Sequence, residues 1–466
     1  MSNKYLRLAG AVFCGLFTCV HSVIADHVSN TNTLTIQPLM VSGLRVNYAG
    51  TFDDPGNSYG LDSGPNPASV VSADVNGDGK MDLICANGED ELRVFTNNGS
   101  GGFVISSTLS VGSGHRPYQV VAADVNGDGK MDLISANNGN KTLTVFTNKG
   151  RGLFVISSTP GVGSFPFSVA AADVNGNGKI DLISCNRGDN TLTVLTNRGN
   201  GLFISNATYT VGSIETGRDP RFVAAADVNG DGYADLISAN YGGSTLTVLT
   251  NDGSGRFGSN ATCTVGSAPL CVIAVDVNGD SYVDLVSANY GDSTLTVLTN
   301  DGSGNFVFSA TLDAGSWPNS VTAADVLGNG NIDLISANGD GTLTVLTNDG
   351  GGGFTLGSTV YAGGDWLTSV TCADVNGDGG MDLIFADYSA PNLTVWLNTL
   401  TSLGSLPGVA ISWSTNGTAG FVLQKNDDLT TANWVNVSTP PTVTNHQNQV
   451  IVVPLVDGEF YRLRHY

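Results

Sequence analysis

The eleven residues Asp-Val-Asn-Gly-Asp-Gly-Lys-Met-Asp-Leu-Ile that begin at Asp74 recur in register along most of the chain, and this repetition limits the fold more than any other feature. The same string begins at Asp124. Variants begin at Asp173, Asp227, Asp276, Asp325 and Asp374, at successive spacings of 50, 49, 54, 49, 49 and 49 residues. A period in this range marks a unit of supersecondary structure that buries its apolar surface only against its neighbours. In the fourth copy, 222–228 is a short apolar run, 229–232 a turn and 234–239 a second run. An alternating Thr-Leu-Thr-Val-Leu-Thr follows at 245–250, then a Gly-rich turn at 251–255 and a weaker strand at 257–265.

Four short antiparallel strands per copy and seven copies predict an all-β fold, a seven-bladed β-propeller. A parallel β-helix would repeat at a shorter period, and immunoglobulin-like domains at about twice this one. Composition agrees. Gly supplies 61 of 466 residues and charged residues only 13%, about half the usual share, which excludes a coiled coil or a helical bundle. The net charge of −22 repels phosphate backbones and anionic membranes, so nucleic acid is not expected as a partner.

The seventh copy runs from 393–397 into Asn398-Thr399-Leu400-Thr401, with no Gly-rich turn and no fourth strand. A strand-like stretch at 44–52 precedes the first copy. Since an open ring leaves unpaired edges, 44–52 is expected to close blade seven, so that the propeller spans 44–398. Residues 1–25 read as a signal peptide, with Lys4 and Arg7 before an apolar stretch at 8–20 and cleavage after Ala25. That stretch is too short to span a bilayer, so a secreted or cell-surface protein without a membrane span is expected. Residues 26–43 read as an N-terminal leader, 399–407 as a linker and 408–466 as a small C-terminal β-sandwich-like domain. Cys263 and Cys271 are spaced to pair across a turn in an oxidising compartment, or to remain buried thiols.

The repeated loop carries the firmest chemistry. Calcium takes six to eight oxygen ligands, and a loop with side-chain oxygens at positions 1, 3 and 5, a carbonyl at 7 and a carboxylate at 9 can wrap it. In copy one these are Asp74, Asn76, Asp78, the Lys80 carbonyl and Asp82, with Gly79 at the turn and the Lys80 side chain taking no part. Copy two offers Asp124, Asn126, Asp128, Lys130 and Asp132. Copy four offers Asp227, Asn229, Asp231, Tyr233 and Asp235, and copy seven Asp374, Asn376, Asp378, Gly380 and Asp382. Copy five keeps Asp276, Asn278, Asp280, Tyr282 and Asp284, but Ser281 stands at the Gly position. Copy three, with Asp173, Asn175, Asn177, Lys179 and Asp181, has one charge fewer and should bind more weakly. Copy six has Leu327 at position 3 beside Asp325, Asn329 and Asp333, and should be empty or weak. About five to six calcium ions are therefore expected as structural cofactors. The alternative is a set of metal-free Asx turns. The seven loops hold 19 of the 41 acids.

These residues, with Asp-Leu-Ile-Ser-Ala-Asn, Asp-Gly-Ser-Gly-x-Phe and a Val-Gly-Ser-x-Pro link, resemble the FG-GAP/VCBS repeat of integrin-alpha-type seven-bladed propellers. The resemblance covers about 330 of 466 residues. It implies the fold, and since propellers host lectins, adhesins and lyases alike, activity must be read from the site.

The calcium loops would lie on one face, and the links entering strand one on the other. Those links vary where the rest repeats, and supply His115, Arg116 and Tyr118, then Phe165 and Phe167, Arg218 and Arg221, Trp317, and Trp366. Tyr241, Tyr290 and Tyr388 stand in the companion loops. Aromatics beside Arg suit sugar stacking or a protein hot spot, or else plug the channel. The reading is a non-catalytic adhesion or recognition module for extracellular protein or polysaccharide, with a lectin as a variant of it. A polysaccharide lyase or hydrolase is the runner-up, with His115, Arg116 and Tyr118 as its base and charge neutraliser.

Overall fold

The computed structural model describes residues 58–212 and 219–398, together with strand segments between 6 and 41 and between 406 and 465. Two compact units emerge, one made of 47–400 and the other of 1–46 with 401–466. The first is the propeller. Each of its seven sheets has four antiparallel strands in simple up-and-down order. Blade one is Pro67–Ala73, Asp82–Asn87, Glu91–Asn97 and Phe103–Ser110.

The burial pattern explains the sequence pattern. Every residue of the second strand, Asp82–Asn87 in blade one, is buried, because each sheet is covered on both faces by neighbouring blades. Leu83 and Cys85 pack with Ile384, Ala386 and Val395 of blade seven, while Ile84 and Ala86 pack with Leu133 and Phe146 of blade two. A strand buried on both faces reads as a continuous apolar run rather than an alternating one. The outermost strands, such as Phe103–Ser110, alternate between half-buried and exposed. The outer strand of blade two is shorter, Phe154–Ser158, because Pro160 follows and lacks the N–H a longer ladder needs.

Blade seven is Leu367–Ala373, Asp382–Asp387 and Asn392–Trp396, closed by an N-terminal strand as anticipated. That strand is Ser58–Asp62, paired with Asn392–Trp396 from Ser58 opposite Trp396 to Asp62 opposite Asn392. The expected strand 44–52 lies outside the described residues, and its place in the sheet is taken. In the second unit, Thr35–Val41 pairs with Leu406–Ser414 in a sheet completed by Gln447–Val452 and Thr442–Thr444. The segment read as a leader thus contributes a strand to the C-terminal unit. Leu6–Arg7, within the segment read as a signal peptide, edges the other sheet beside Phe460–His465. Among the described residues, no helix is long and apolar enough to cross a membrane.

Blades are tied together by a buried Asn at the end of each third strand. Asn251 donates its backbone N–H to Asp235 Oδ1 at 2.7 Å. Its Nδ2 donates to Val174 O of the preceding blade at 2.7 Å and to Ala234 O at 3.0 Å, and its Oδ1 accepts from Gly253 N. Asp235 Oδ2 accepts from Val228 N at 3.1 Å. The inter-blade bond recurs from Asn97 to Val375, Asn148 to Val75, Asn197 to Val125, Asn300 to Val228, Asn348 to Val277 and Asn398 to Val326. The bond from Asn97 to Val375 joins blade one to blade seven and completes the circle.

Removing Asn251 strands two buried carbonyls and two turn N–H groups, those of Gly253 and Gly255. Asn251→Ala should therefore lower stability by about 3 kcal/mol, read by urea unfolding; a loss under about 1 kcal/mol would show that apolar packing alone holds the blades. Ser281 occupies a left-handed position (φ 72°) where the other six loops have Gly. A non-Gly residue there costs about 1 to 2 kcal/mol, of which the freer unfolded chain of Gly cancels about half. Ser281→Gly should thus gain about 0.5 to 1 kcal/mol by the same measurement, and a loss would refute the strain.

Candidate functional site

The links into the inner strands are built by a repeated dipeptide. In six blades the strand begins at Pro, and the residue before it has a left-handed backbone: Asn66 (φ 55°), Arg116 (48°), Phe165 (50°), Asp219 (70°), Ala268 (56°) and Trp317 (59°). Pro disfavours the right-handed α conformation in the residue it follows. In all seven blades the carbonyl of that link residue accepts the N–H of the first residue after the second strand, at 2.8 to 3.1 Å, from Gly88 to Asn66 through Tyr388 to Trp366. Loop carboxylates add a second clamp. Asp90 accepts from Gly114 N and Arg116 N, and Asp189 accepts from Ser164 N at 2.6 Å, a bond that holds the Asp189 carboxyl below its ordinary range.

Side chains from these links and strand starts enclose a cup of about 270 Å³ at the channel mouth. Its wall is a chain of aromatic contacts around one cation. Tyr118 and Phe167 lie with ring centroids 3.7 Å apart. The Arg221 guanidinium sits between Phe167 (4.9 Å) and Tyr241 (4.6 Å). Tyr241 meets Tyr290 at 6.3 Å, Tyr290 meets Trp366 at 6.3 Å, and Trp366 stacks on Trp317 at 6.3 Å. Arg221 donates from Nη2 to Asp219 Oδ2 at 2.9 Å, and Asp219 Oδ1 accepts from Arg187 Nε at 2.8 Å. The Arg221 Nε is buried without a partner. Burial raises the Tyr118 phenol above its ordinary range, so it is neutral at physiological pH.

The floor is a polar belt that also joins the inner strands. The Ser69, Ser168, Ser320 and Ser369 hydroxyl oxygens accept N–H bonds from the next blade's Val120, Val223, Val370 and Val70. Gln119 Oε1 accepts from Val169 N at 2.7 Å, and Asn319 Nδ2 donates to Leu367 O.

Of the anticipated rim residues, Tyr118, Phe167, Arg221 and Trp366 line the cup and Trp317 stands at its lip, 46% exposed. Phe165 is exposed outside it. Arg218 lies outside the described residues. His115, Arg116 and Tyr118 do not form the anticipated base and neutraliser. His115 Nε2 bonds Asn140 Nδ2 at 2.8 Å, while Tyr118, across the bend at Pro117, turns to the channel. Gln119, Asn319 and the serines escaped the sequence reading. Their signal was a polar residue two places after the strand-opening Pro, or after Leu367 in blade seven, inside an otherwise apolar run; Asn319 stands one place after Pro318.

On the opposite face, each repeated loop folds back on its own amides. Asp74 Oδ1 accepts from Gly77 N and Asp78 N, Asp74 Oδ2 from Gly79 N, and Asn76 Oδ1 from Asp78 N. Position 9 is fully buried and has a second role, since both oxygens of Asp82 accept backbone N–H bonds, from Val75 and Asn97. Burial first, and then the charges of Asp78 and Asp74, raise the Asp82 pKa. The same causes push Asp382 up to about 7. Lysine side chains take part, contrary to expectation. Lys80 Nζ donates to Asn98 O and lies 3.8 Å from Asp78 Oδ2, and Lys130 Nζ lies 2.9 Å from Asp128 Oδ2. Among the described residues, no three His, Cys, Asp or Glu side chains are gathered as a metal cluster. The loops instead offer mixed carboxylate, amide and carbonyl oxygens, a hard donor set of the kind calcium takes, with lysine offsetting part of the negative charge in blades one and two. All five cysteines of the propeller are free thiols, Cys263 and Cys271 included.

Comparison with known proteins supports the architecture. A crystal structure of BBS1N in complex with ARL6DN superposes with a TM-score of 0.51 at 13% identity, over 73% of this chain and 94% of that one. A candidate 6-phosphogluconolactonase from Bacteroides uniformis gives 0.51 at 12% identity, over 64% and 86%. An Agrocybe aegerita lectin described as recognising non-reducing terminal N-acetylglucosamine gives 0.45 at 22% identity, over 72% and 86%. No curated protein sequence matches the chain. The model of the FG-GAP-like repeat matches six overlapping segments, 74–135, 124–184, 173–238, 227–287, 276–336 and 325–385. The chain therefore belongs to the family of FG-GAP-like repeat proteins, built as a seven-bladed β-propeller.

Proposed function

We propose that this protein is a secreted, calcium-stabilised recognition module whose channel-mouth cup binds a sugar ring of an extracellular polysaccharide without chemically altering it. The observation that carries the reading is the continuous aromatic wall, from Tyr118 through Tyr241 and Tyr290 to Trp366, contributed by five blades around one cavity. Flat aromatic faces suit the C–H faces of a pyranose, and the hydroxyl and amide floor suits its hydroxyl groups. Among the described residues, the titratable side chains lining the cup are Tyr118, Tyr241, Tyr290, Cys271 and Arg221. No carboxylate or imidazole stands among them to act as general base near neutral pH.

Calcium's part is mechanical. The loops of blades one, two, four, five and seven have full ligand sets, blade three one charge fewer and blade six Leu327 in place of a donor. At about 1 mM external calcium and a dissociation constant of about 10⁻⁴ M, each site adds about 1.4 kcal/mol. Six sites add about 8 kcal/mol, comparable to the stability of a whole domain.

Two outcomes are expected. On an array of polysaccharides and matrix proteins, the calcium-loaded protein should retain a carbohydrate, and Trp366→Ala or Tyr290→Ala should weaken retention by at least about tenfold; unsaturated or shortened products in the same incubations would instead identify a lyase or hydrolase. Elemental analysis should find about five to six calcium ions per chain. Asp128→Ala should remove about one of them and Asn329→Ala none, and chelation should lower the melting temperature sharply. Identical melting with and without chelator would reduce the loops to metal-free turns.

A further inference from the structure

In a chain of net charge −22, the one charged side chain lining the cup among the described residues is a cation, Arg221. Its surroundings restrict what it can bind. The guanidinium lies over the Phe167 and Tyr241 rings, at 4.9 and 4.6 Å from their centroids, which limits the directions from which a ligand can reach it. Asp219 occupies Nη2 but divides its charge between Arg221 and Arg187, leaving the three groups with a net positive charge. Nε is buried with no acceptor in reach, and an unpaired donor in such a place retains its full desolvation penalty until an acceptor arrives. A planar anion presented edge-on is what a guanidinium so confined recognises best.

The floor points the same way. The oxygens of Ser69, Ser320, Ser369 and Gln119 already accept N–H bonds. The Ser69 and Ser369 hydroxyls and the Gln119 amide can still donate O–H and N–H, and each oxygen keeps a second lone pair, so the floor can meet a ligand's carboxylate and its hydroxyl groups alike. The cup is also small, below the ~300 to 1,000 Å³ of ordinary small-molecule pockets. It suits one ring with its substituents rather than a peptide segment.

We propose that the cup selects a sugar ring bearing a carboxylate, a uronic acid unit of an acidic polysaccharide, with the aromatic wall holding the ring and Arg221 pairing with the carboxylate. This rests on the cup being the ligand site, and the test separates the two claims. The full-length, calcium-loaded protein is titrated with trigalacturonate, with maltotriose as a neutral partner of equal length, and with acetate, following tryptophan fluorescence and calorimetry. Trigalacturonate should bind at least about tenfold tighter than maltotriose, and acetate should not compete at equal concentration. Arg221→Gln should cost trigalacturonate about tenfold more affinity than it costs maltotriose. Asp219→Asn frees the guanidinium edge and keeps a residue tolerant of the left-handed backbone. It should tighten trigalacturonate several-fold, a gain that a merely damaged fold would not give. Equal binding of the two trisaccharides, or an unchanged Arg221→Gln, overturns the carboxylate assignment and leaves the cup as a neutral-sugar site. Binding that survives Trp366→Ala places the ligand elsewhere and overturns both claims, as does a failure of both trisaccharides to bind.

Discussion

The propeller depends on a buried pair, the Asn that ends each third strand and the Asp that begins each second strand. Asp235 and Asn251 are 0% and 4% exposed, and a polar group so placed is tolerable only if every donor and acceptor is matched. Here each is matched by backbone, and one of those backbone groups belongs to the neighbouring blade. Apolar packing between sheets is permissive about small slides and rotations, whereas a hydrogen bond to a fixed carbonyl is not. Seven such bonds, including the one across the closure, fix the angle between successive blades and hence their number. Because the same Asp ends the nine-residue loop, the loop is anchored to the ring rather than hung from it. A cation gathered there would tighten the contact between blades.

The inner strands extend from that anchored end to the channel mouth, where the serine and glutamine belt repeats the tie at a second level. Blade four interrupts the belt with Phe222, which has no hydrogen-bonding side chain, and blade five turns it round, with Cys271 donating to Val321 O. Ties at two levels in six of the seven blades make the scaffold rigid enough for the links above to differ freely. Thus blades two to five and seven carry large cup residues, while blade six contributes Asn319 and Ser320 and blade one only Ala68 and Ser69. Function here is written into a rigid repeat by the few positions that do not repeat.

Period, strand count and blade number were legible because each depends on local patterns copied seven times. The need for a closing strand was legible too, since blade seven lacks its fourth, but the residues that fill it were not. Ser58-Tyr-Gly-Leu-Asp has a Gly at its centre and turn-forming residues on both sides, and by propensity it reads as loop. Its strand character comes from its partner, with Tyr59 opposite Val395 and Leu61 opposite Leu393, and with the Tyr59 hydroxyl donating to Gly101 O of blade one. The Asn role was hidden for a related reason. In one dimension Asn251-Asp-Gly is a turn, and the carbonyl that Asn251 binds lies 77 residues away. The grouping of His115 with Tyr118 failed on geometry, since a left-handed residue followed by Pro between them sends the two side chains to different sides of the link.

That left-handed residue also accounts for how the cup is held open. Outside Gly and Asn, each such conformation costs about 1 to 2 kcal/mol, and six blades adopt it at the same point. Strain repeated in this way persists only where the surroundings over-determine the backbone. They do so here through the Pro that follows, the carbonyl bond to the next loop and, in several blades, a carboxylate clamp. Trp366, followed by Leu367 instead of Pro, is not left-handed, yet its carbonyl makes the same bond to Tyr388. The carbonyl bond is therefore the common requirement, and Pro is the means by which six blades meet it with a fixed φ in the inner strand. A rim set this way does not need a ligand to order it. Its aromatics and Arg221 stand in place beforehand, so a ligand bound as proposed would spend no binding energy on arranging them.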